Sequence, residues 1–218
     1  MKKNTLFDAS AWLAKSFVVI GLLAGFACPV AGAESTAAPA KTSEEPARRP
    51  DVIFVPTPQQ VVDKMLELAE VKKGDVVYDL GCGDGRIVVT AAKKYGVKCV
   101  GFDIDPERIK ESIANVKSNK VERLVTIKQA DIFTLDLRKA SVVTLYLLPE
   151  LNVKLMPQLA KLKPGSRIVS HDFDMAGAKP VQVYQAKTKS DGSSYEVDHT
   201  IYKWVVPWEK EDQSNSTE

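Results

Sequence analysis

Asp79-Leu80-Gly81-Cys82-Gly83-Asp84-Gly85-Arg86 follows the apolar run Val76-Val77-Tyr78 and leads into a helix-like stretch, Arg86 to Tyr95. Few folds can use such a segment. Three glycines at alternate positions let the backbone turn sharply and approach a ligand closely, because no Cβ intrudes. The free N–H groups of the helix that follows favour a carboxylate or phosphate at that loop. The segment therefore specifies a strand, a ligand-binding turn and a helix, in that order.

The rest of the chain repeats the alternation. Thr57-Pro58-Gln59-Gln60 has the form of a capping box with proline at the first helical position, so a helix is expected from there to Lys73-Gly74. Its inward face carries Val61, Val62, Met65, Leu66 and Ala69. Strands are expected at 99–104, 124–128, 141–147 and 167–170. Asp105-Pro106 opens a helix with an Ile109, Ile113, Val116 stripe, and Leu151 to Leu162 reads as another. Val181 to Lys187 and Glu196 to Val206 flank the turn sequence Ser190-Asp191-Gly192-Ser193, so they form a hairpin whose last strand is antiparallel. Strand-helix alternation ending in a hairpin predicts an α/β fold: a doubly wound, mostly parallel sheet with helices on both faces.

A glycine-rich turn serves both dinucleotide enzymes and methyl-transferring ones, and three features separate them. The dinucleotide fingerprint needs its third glycine one position later, where this chain has Arg86. Asp79 ends the strand just before the first glycine, where it can fix the loop and a ligand's ammonium group. The sheet closes with a hairpin rather than a second nucleotide-binding half. A nicotinamide-dependent oxidoreductase is thereby disfavoured.

Through Asp79 to Gly85, Asp103 and Asp131, residues 52–207 resemble the seven-strand class I S-adenosylmethionine-dependent methyltransferases, with their Rossmann-like sheet. The resemblance implies that Gly81, Gly83 and Gly85 hold the methionine part of S-adenosylmethionine. It implies that Asp103 binds the ribose hydroxyls, Asp131 the adenine amine, and Ile132 the adenine ring. Each Asp taken alone reads as a helix cap or loop acid; their positions after successive strands argue for the ligand.

Val55-Pro56-Thr57-Pro58 and Gly74 through Val88 are similar to the small family related to mitochondrial protein-lysine methyltransferases, which methylate an ATP synthase subunit. That resemblance implies a cofactor-proximal Thr57 and a protein lysine as acceptor. A small-molecule acceptor, and a non-catalytic protein that only binds the cofactor, are the alternatives. Tyr146, Glu150, His171 and Asp172 follow the fourth and fifth strands, at the ligand-binding edge of such sheets. No catalytic side chain is assigned; His171 reads as a hydrogen-bonded edge residue and His199 as structural. No metal site is expected.

The N-terminus carries Lys2, Lys3 and Lys15, a 12-residue apolar run from Ser16 to Ala27, and Ala31-Gly32-Ala33. This pattern predicts a signal peptide over residues 1–33, cleavage after Ala33 and export to an extracytoplasmic space. Retention as a membrane anchor, including lipidation at Cys28, is one alternative; a mitochondrial presequence, disfavoured because the segment holds no Arg, is the other. Residues 34–50 read as a flexible linker, 51–208 as the methyltransferase domain and 209–218 as a polar tail. The chain holds 30 basic and 28 acidic residues, and removal of three Lys and one Asp with the signal leaves it neutral. No basic surface for nucleic acid is expected. Cys82 and Cys99, at opposite ends of neighbouring strands, are expected to remain free thiols.

Overall fold

The apolar run before the glycines becomes the centre of a sheet. A computed structural model describes residues 50–189 and 195–211. β1 (Val76–Leu80) is flanked by β2 (Lys98–Asp103) and β4 (Val142–Leu145), so both of its edges are hydrogen-bonded. A strand covered on both faces needs an apolar sequence throughout rather than an alternating one. With β3 (Val125–Gln129), β5 (Arg167–His171), β6 (Gln182–Lys189) and β7 (Glu196–Val205), the sheet order is β3-β2-β1-β4-β5-β7-β6. β1 to β5 are parallel, and β7 runs antiparallel between β5 and β6.

Helices α1 (Gln59–Leu68), α2 (Arg86–Tyr95), α3 (Pro106–Ser118) and α4 (Pro149–Leu159) cover the sheet. One face joins Val61, Met65 and Leu66 of α1 and Val88 and Ala92 of α2 to Val77, Val142, Val169 and Ile201. The other packs Leu155 and Leu159 of α4 with Leu137 against Leu145, Ile168 and Trp204. Winding reverses between β1 and β4. Such a reversal opens a crevice at the carboxyl ends of the strands, and the glycine loop lies there.

Several expected boundaries move. Thr57 forms no capping box, because its hydroxyl meets His171 Nδ1 at 3.2 Å and α1 begins without a side-chain cap. That helix ends at Leu68, not Gly74, and Glu70 takes a left-handed φ of 51°. The α3 stripe is only partly inward: Val116 and Ser112 are buried while Ile113 is exposed. β4 stops at Leu145, and Pro149 opens α4 two residues before the expected start. Lys189 pairs with Glu196, so the hairpin forms as expected, although its turn lies outside the described residues. Residues 1–49 and 212–218 also lie outside them, taking the signal peptide and nearly all of the linker with them. Within the expected tail, Glu209 accepts the Lys179 amide at 2.9 Å, and Lys210 bridges to Ala178.

Candidate functional site

The crevice gathers residues from five places in the chain. Its walls include the segment from Pro50 to Thr57, Asp79 on β1, Gly81 and Cys82, Asp103 at the end of β2, Asp131 and Ile132 after β3, and Tyr146 and Leu147 after β4. Among the residues singled out from sequence, Thr57, Asp79, Gly81, Asp103, Asp131 and Ile132 all line it. Gly83 and Gly85 complete the loop beneath.

Gly83 has φ 52°, and a Cβ there would stand 2.1 Å from Phe54 Cε2. Only glycine admits that ring. Gly85 caps α2 in a left-handed conformation with φ 76°, and a Cβ would sit 3.0 Å from Ser112 Cβ. The loop is thus fitted between an aromatic side chain and α3.

Asp103 fastens the loop to the neighbouring strand. Its Oδ2 accepts the Gly83 amide at 2.8 Å and its Oδ1 the Asp105 amide at 3.0 Å. Each carboxylate oxygen retains a further acceptor direction. Asp131 caps the short 3-10 turn Ile132–Thr134 by accepting the Phe133 amide at 3.0 Å. Its cap role and its place on the crevice wall coexist.

Asp79 is 2% exposed, and Thr144 donates to its Oδ1 at 2.7 Å. Its Oδ2 is buried with no hydrogen-bond partner. Burial pushes the Asp79 carboxyl up to about 7, against the lowering effect of the Thr144 hydrogen bond. A buried acid with an unused oxygen on the crevice wall is a receptor for a cationic group. Cys82 and Cys99 are both free and buried, and burial raises both thiols, Cys99 to about 12. They are packing residues rather than nucleophiles.

Sequence reasoning singled out Thr57 but missed Phe54 and the rest of the strap, residues 50–57, that covers the loop. Arg86 grips Asp84 at 2.6 Å and donates from Nη1 to the Thr57 carbonyl at 2.8 Å, tying the strap to the start of α2. The Arg108 guanidinium lies 4.8 Å from the Phe54 ring. An aromatic residue inside a short proline-bounded segment, Phe54 before Pro56, was the available signal. At the far wall the Tyr146 ring lies 3.9 Å from that of His171, and burial raises the Tyr146 hydroxyl's pKa, helped by the Asp172 charge. His171 is wholly buried and hydrogen-bonded, and burial lowers its pKa.

Over 159 residues the chain is 46% identical to a protein-lysine N-methyltransferase of Saccharolobus islandicus, covering 72% of this chain and 95% of that one. The family described as the ANTKMT methyltransferase domain matches residues 79–182. The chain is a class I S-adenosylmethionine-dependent methyltransferase. The methyltransferase also resembles, at 46% identity and TM-score 0.63, an RNA methyltransferase from Salinibacter ruber crystallised with S-adenosyl-L-homocysteine. That match covers 72% of this chain and 97% of the other. A lysine N-methyltransferase of Rattus norvegicus, named for an ATP synthase subunit, is 29% identical over 125 residues, 55% of each chain. The crevice of this methyltransferase suits its cofactor: Asp79 offers an unpaired buried oxygen, and the loop admits no side chain at Gly83.

Proposed function

We propose that this methyltransferase is a protein-lysine N-methyltransferase that holds S-adenosylmethionine in the crevice between β1 and β4. Asp79 receives the ammonium group, Gly81, Gly83 and Gly85 admit the methionine part, and Asp103 takes the ribose hydroxyls. Asp131 takes the adenine amine, Ile132 packs on its ring, and Thr57 holds the strap across the entrance. When bound, the cofactor would supply an activated methyl group on a sulfonium, whose leaving group is a neutral thioether. Little acid-base help is needed at that end. The chain's own work is alignment and exclusion of water, effects that contribute about 7 kcal/mol or more to such reactions.

The acceptor amine attacks only when neutral, and an ordinary lysine ammonium has a pKa of about 10.4. Tyr146, Leu147 and Phe173 supply an apolar wall beside the crevice, with the Tyr146 and Phe173 rings stacked at 6.1 Å. Desolvation there lowers the ammonium's pKa. As the nitrogen-carbon bond forms, the sulfur-carbon pair stays on sulfur. The proton released is the one the ammonium gives to solvent before attack, and the methylated nitrogen carries the positive charge away as an ammonium.

The observation that carries the lysine reading is the 46% identity spanning 95% of the Saccharolobus protein-lysine N-methyltransferase. An RNA acceptor is the second reading, favoured by the Salinibacter relative. The chain's formal charge of +2 provides no basic field for a polyanion. The test incubates the protein with methyl-labelled cofactor and fractions of its source cell. Label that survives ribonuclease and alkali and elutes as methyl-lysine after acid hydrolysis supports the proposal. Label released by ribonuclease supports the RNA reading, and label confined to an organic extract points to a small-molecule acceptor.

A further inference from the structure

We infer that His171, Asp172 and His199 form a binding site for one divalent first-row transition ion, beside the crevice and joined to it through Thr57. His171 Nε2 lies 2.9 Å from His199 Nδ1, and Asp172 Oδ2 lies 3.2 Å from each of those nitrogens. Donors at right angles around an ion with bonds of about 2.1 Å stand about 3.0 Å apart. The three atoms therefore have the spacing of one face of a coordination octahedron, the donor set of a 2-His-1-carboxylate site. This departs from the sequence expectation of no metal.

A proton network serves these atoms poorly when Asp172 is ionised. With one proton between the two imidazoles, the other nitrogen's lone pair faces the carboxylate oxygen at 3.2 Å. With both nitrogens protonated, two N–H groups point at each other across 2.9 Å. A cation at the centre satisfies all three lone pairs together.

The surroundings are those of a ligand set. Each imidazole's outer nitrogen has a hydroxyl partner: Thr57 Oγ1 at 3.2 Å from His171 Nδ1, and Thr188 Oγ1 at 3.1 Å from His199 Nε2. Such outer bonds fix tautomer and ring direction in metal sites. Asp172 Oδ1 accepts the Thr200 amide at 2.8 Å, and Asp172 itself has a left-handed φ of 59°. A non-glycine residue in that conformation is held there by its surroundings. Its own amide bonds the Thr200 carbonyl at 2.7 Å, a clamp between the end of β5 and β7 that aims the carboxylate. Both imidazoles are buried, and access comes along the partly exposed Asp172. Through Thr57 the ion would anchor the strap on the cofactor crevice.

The full chain, stripped with chelator, is titrated with Zn2+ and separately with Co2+, with Mg2+ as a hard-cation control. One equivalent of Zn2+ binding at micromolar Kd or tighter, raising Tm, is expected, with no such response to Mg2+. The Co2+ form should show ligand-field bands without the intense thiolate charge-transfer absorption that Cys82 or Cys99 would give. His199→Gln should weaken Zn2+ binding at least about 100-fold. Thr188→Val, which alters only an outer hydrogen bond and preserves the ligands if the other variant misfolds, should weaken it about 10- to 100-fold. Absence of saturable Zn2+ and Co2+ binding by the wild type, a thiolate spectrum, or unchanged affinity in Thr188→Val overturns the site.

Discussion

The Phe54 ring lies against Gly83, so close that a Cβ at Gly83 would stand 2.1 Å from its Cε2. The strap and the glycine loop are thereby one unit, although they lie far apart in the chain. Gly83→Ala forces the ring out and adds the left-handed penalty of about 1–2 kcal/mol. Expected outcomes are a Tm lowered by several degrees, faster proteolysis within residues 50–57, and cofactor affinity reduced at least tenfold. Phe54→Ala should give the proteolysis and affinity effects while sparing the loop. Normal protease resistance and affinity in Gly83→Ala would show that strap and loop are independent.

Asp79 gives the crevice a pH signature. Burial holds its carboxyl near about 7 in the free protein, so it is mostly protonated at pH 6. A cofactor ammonium beside it favours the ionised form, and binding at pH 6 should release close to one proton. Calorimetry in buffers of differing ionisation enthalpy measures the number, and Asp79→Asn should bring it near zero. The same shift acts on stability. Because the folded pKa lies above the ordinary value of 3.8, the protonated acid favours the fold. That contribution is complete below about pH 4 and is lost as pH rises through about 7. Cofactor should therefore stabilise the protein more at pH 8 than at pH 5; equal stabilisation contradicts this role.

We propose that the protein is exported, from its Lys-rich start, the apolar run and Ala31-Gly32-Ala33. Intact-mass measurement on protein from fractionated cells should find a chain beginning at Glu34 outside the cytoplasm. A cytoplasmic chain retaining residues 1–33 refutes it.

What is legible in the sequence follows the range of the forces involved. β1, the loop and α2 are readable because apolar continuity, glycine spacing and Arg86 act within a few residues. The order of Asp79, Asp103 and Asp131 places all three on one crevice, since a parallel sheet brings successive strand ends to one edge. Thr57 belongs to the crevice, as expected, but it is no helix cap, because its hydroxyl partner, His171, comes from β5. The Phe54 strap and the joining of His171 to His199 depend on the same long-range closure, which no local pattern encodes. In the sequence Asp103 reads as a ribose ligand by resemblance and, taken alone, as a helix cap or loop acid. Its bonds to the Gly83 and Asp105 amides show that it also holds the loop, so its removal costs some stability as well.

The proposed function depends on the cofactor's being held in this crevice by Asp103. Calorimetric titration of wild type and Asp103→Ala with S-adenosyl-L-homocysteine, below both Tm values, isolates that interaction. Hydrogen bonds to a charged group contribute about 1.5–3 kcal/mol each, so the wild type should bind one equivalent and the variant at least about tenfold more weakly. Equal affinities in two folded proteins would remove Asp103 from the cofactor site.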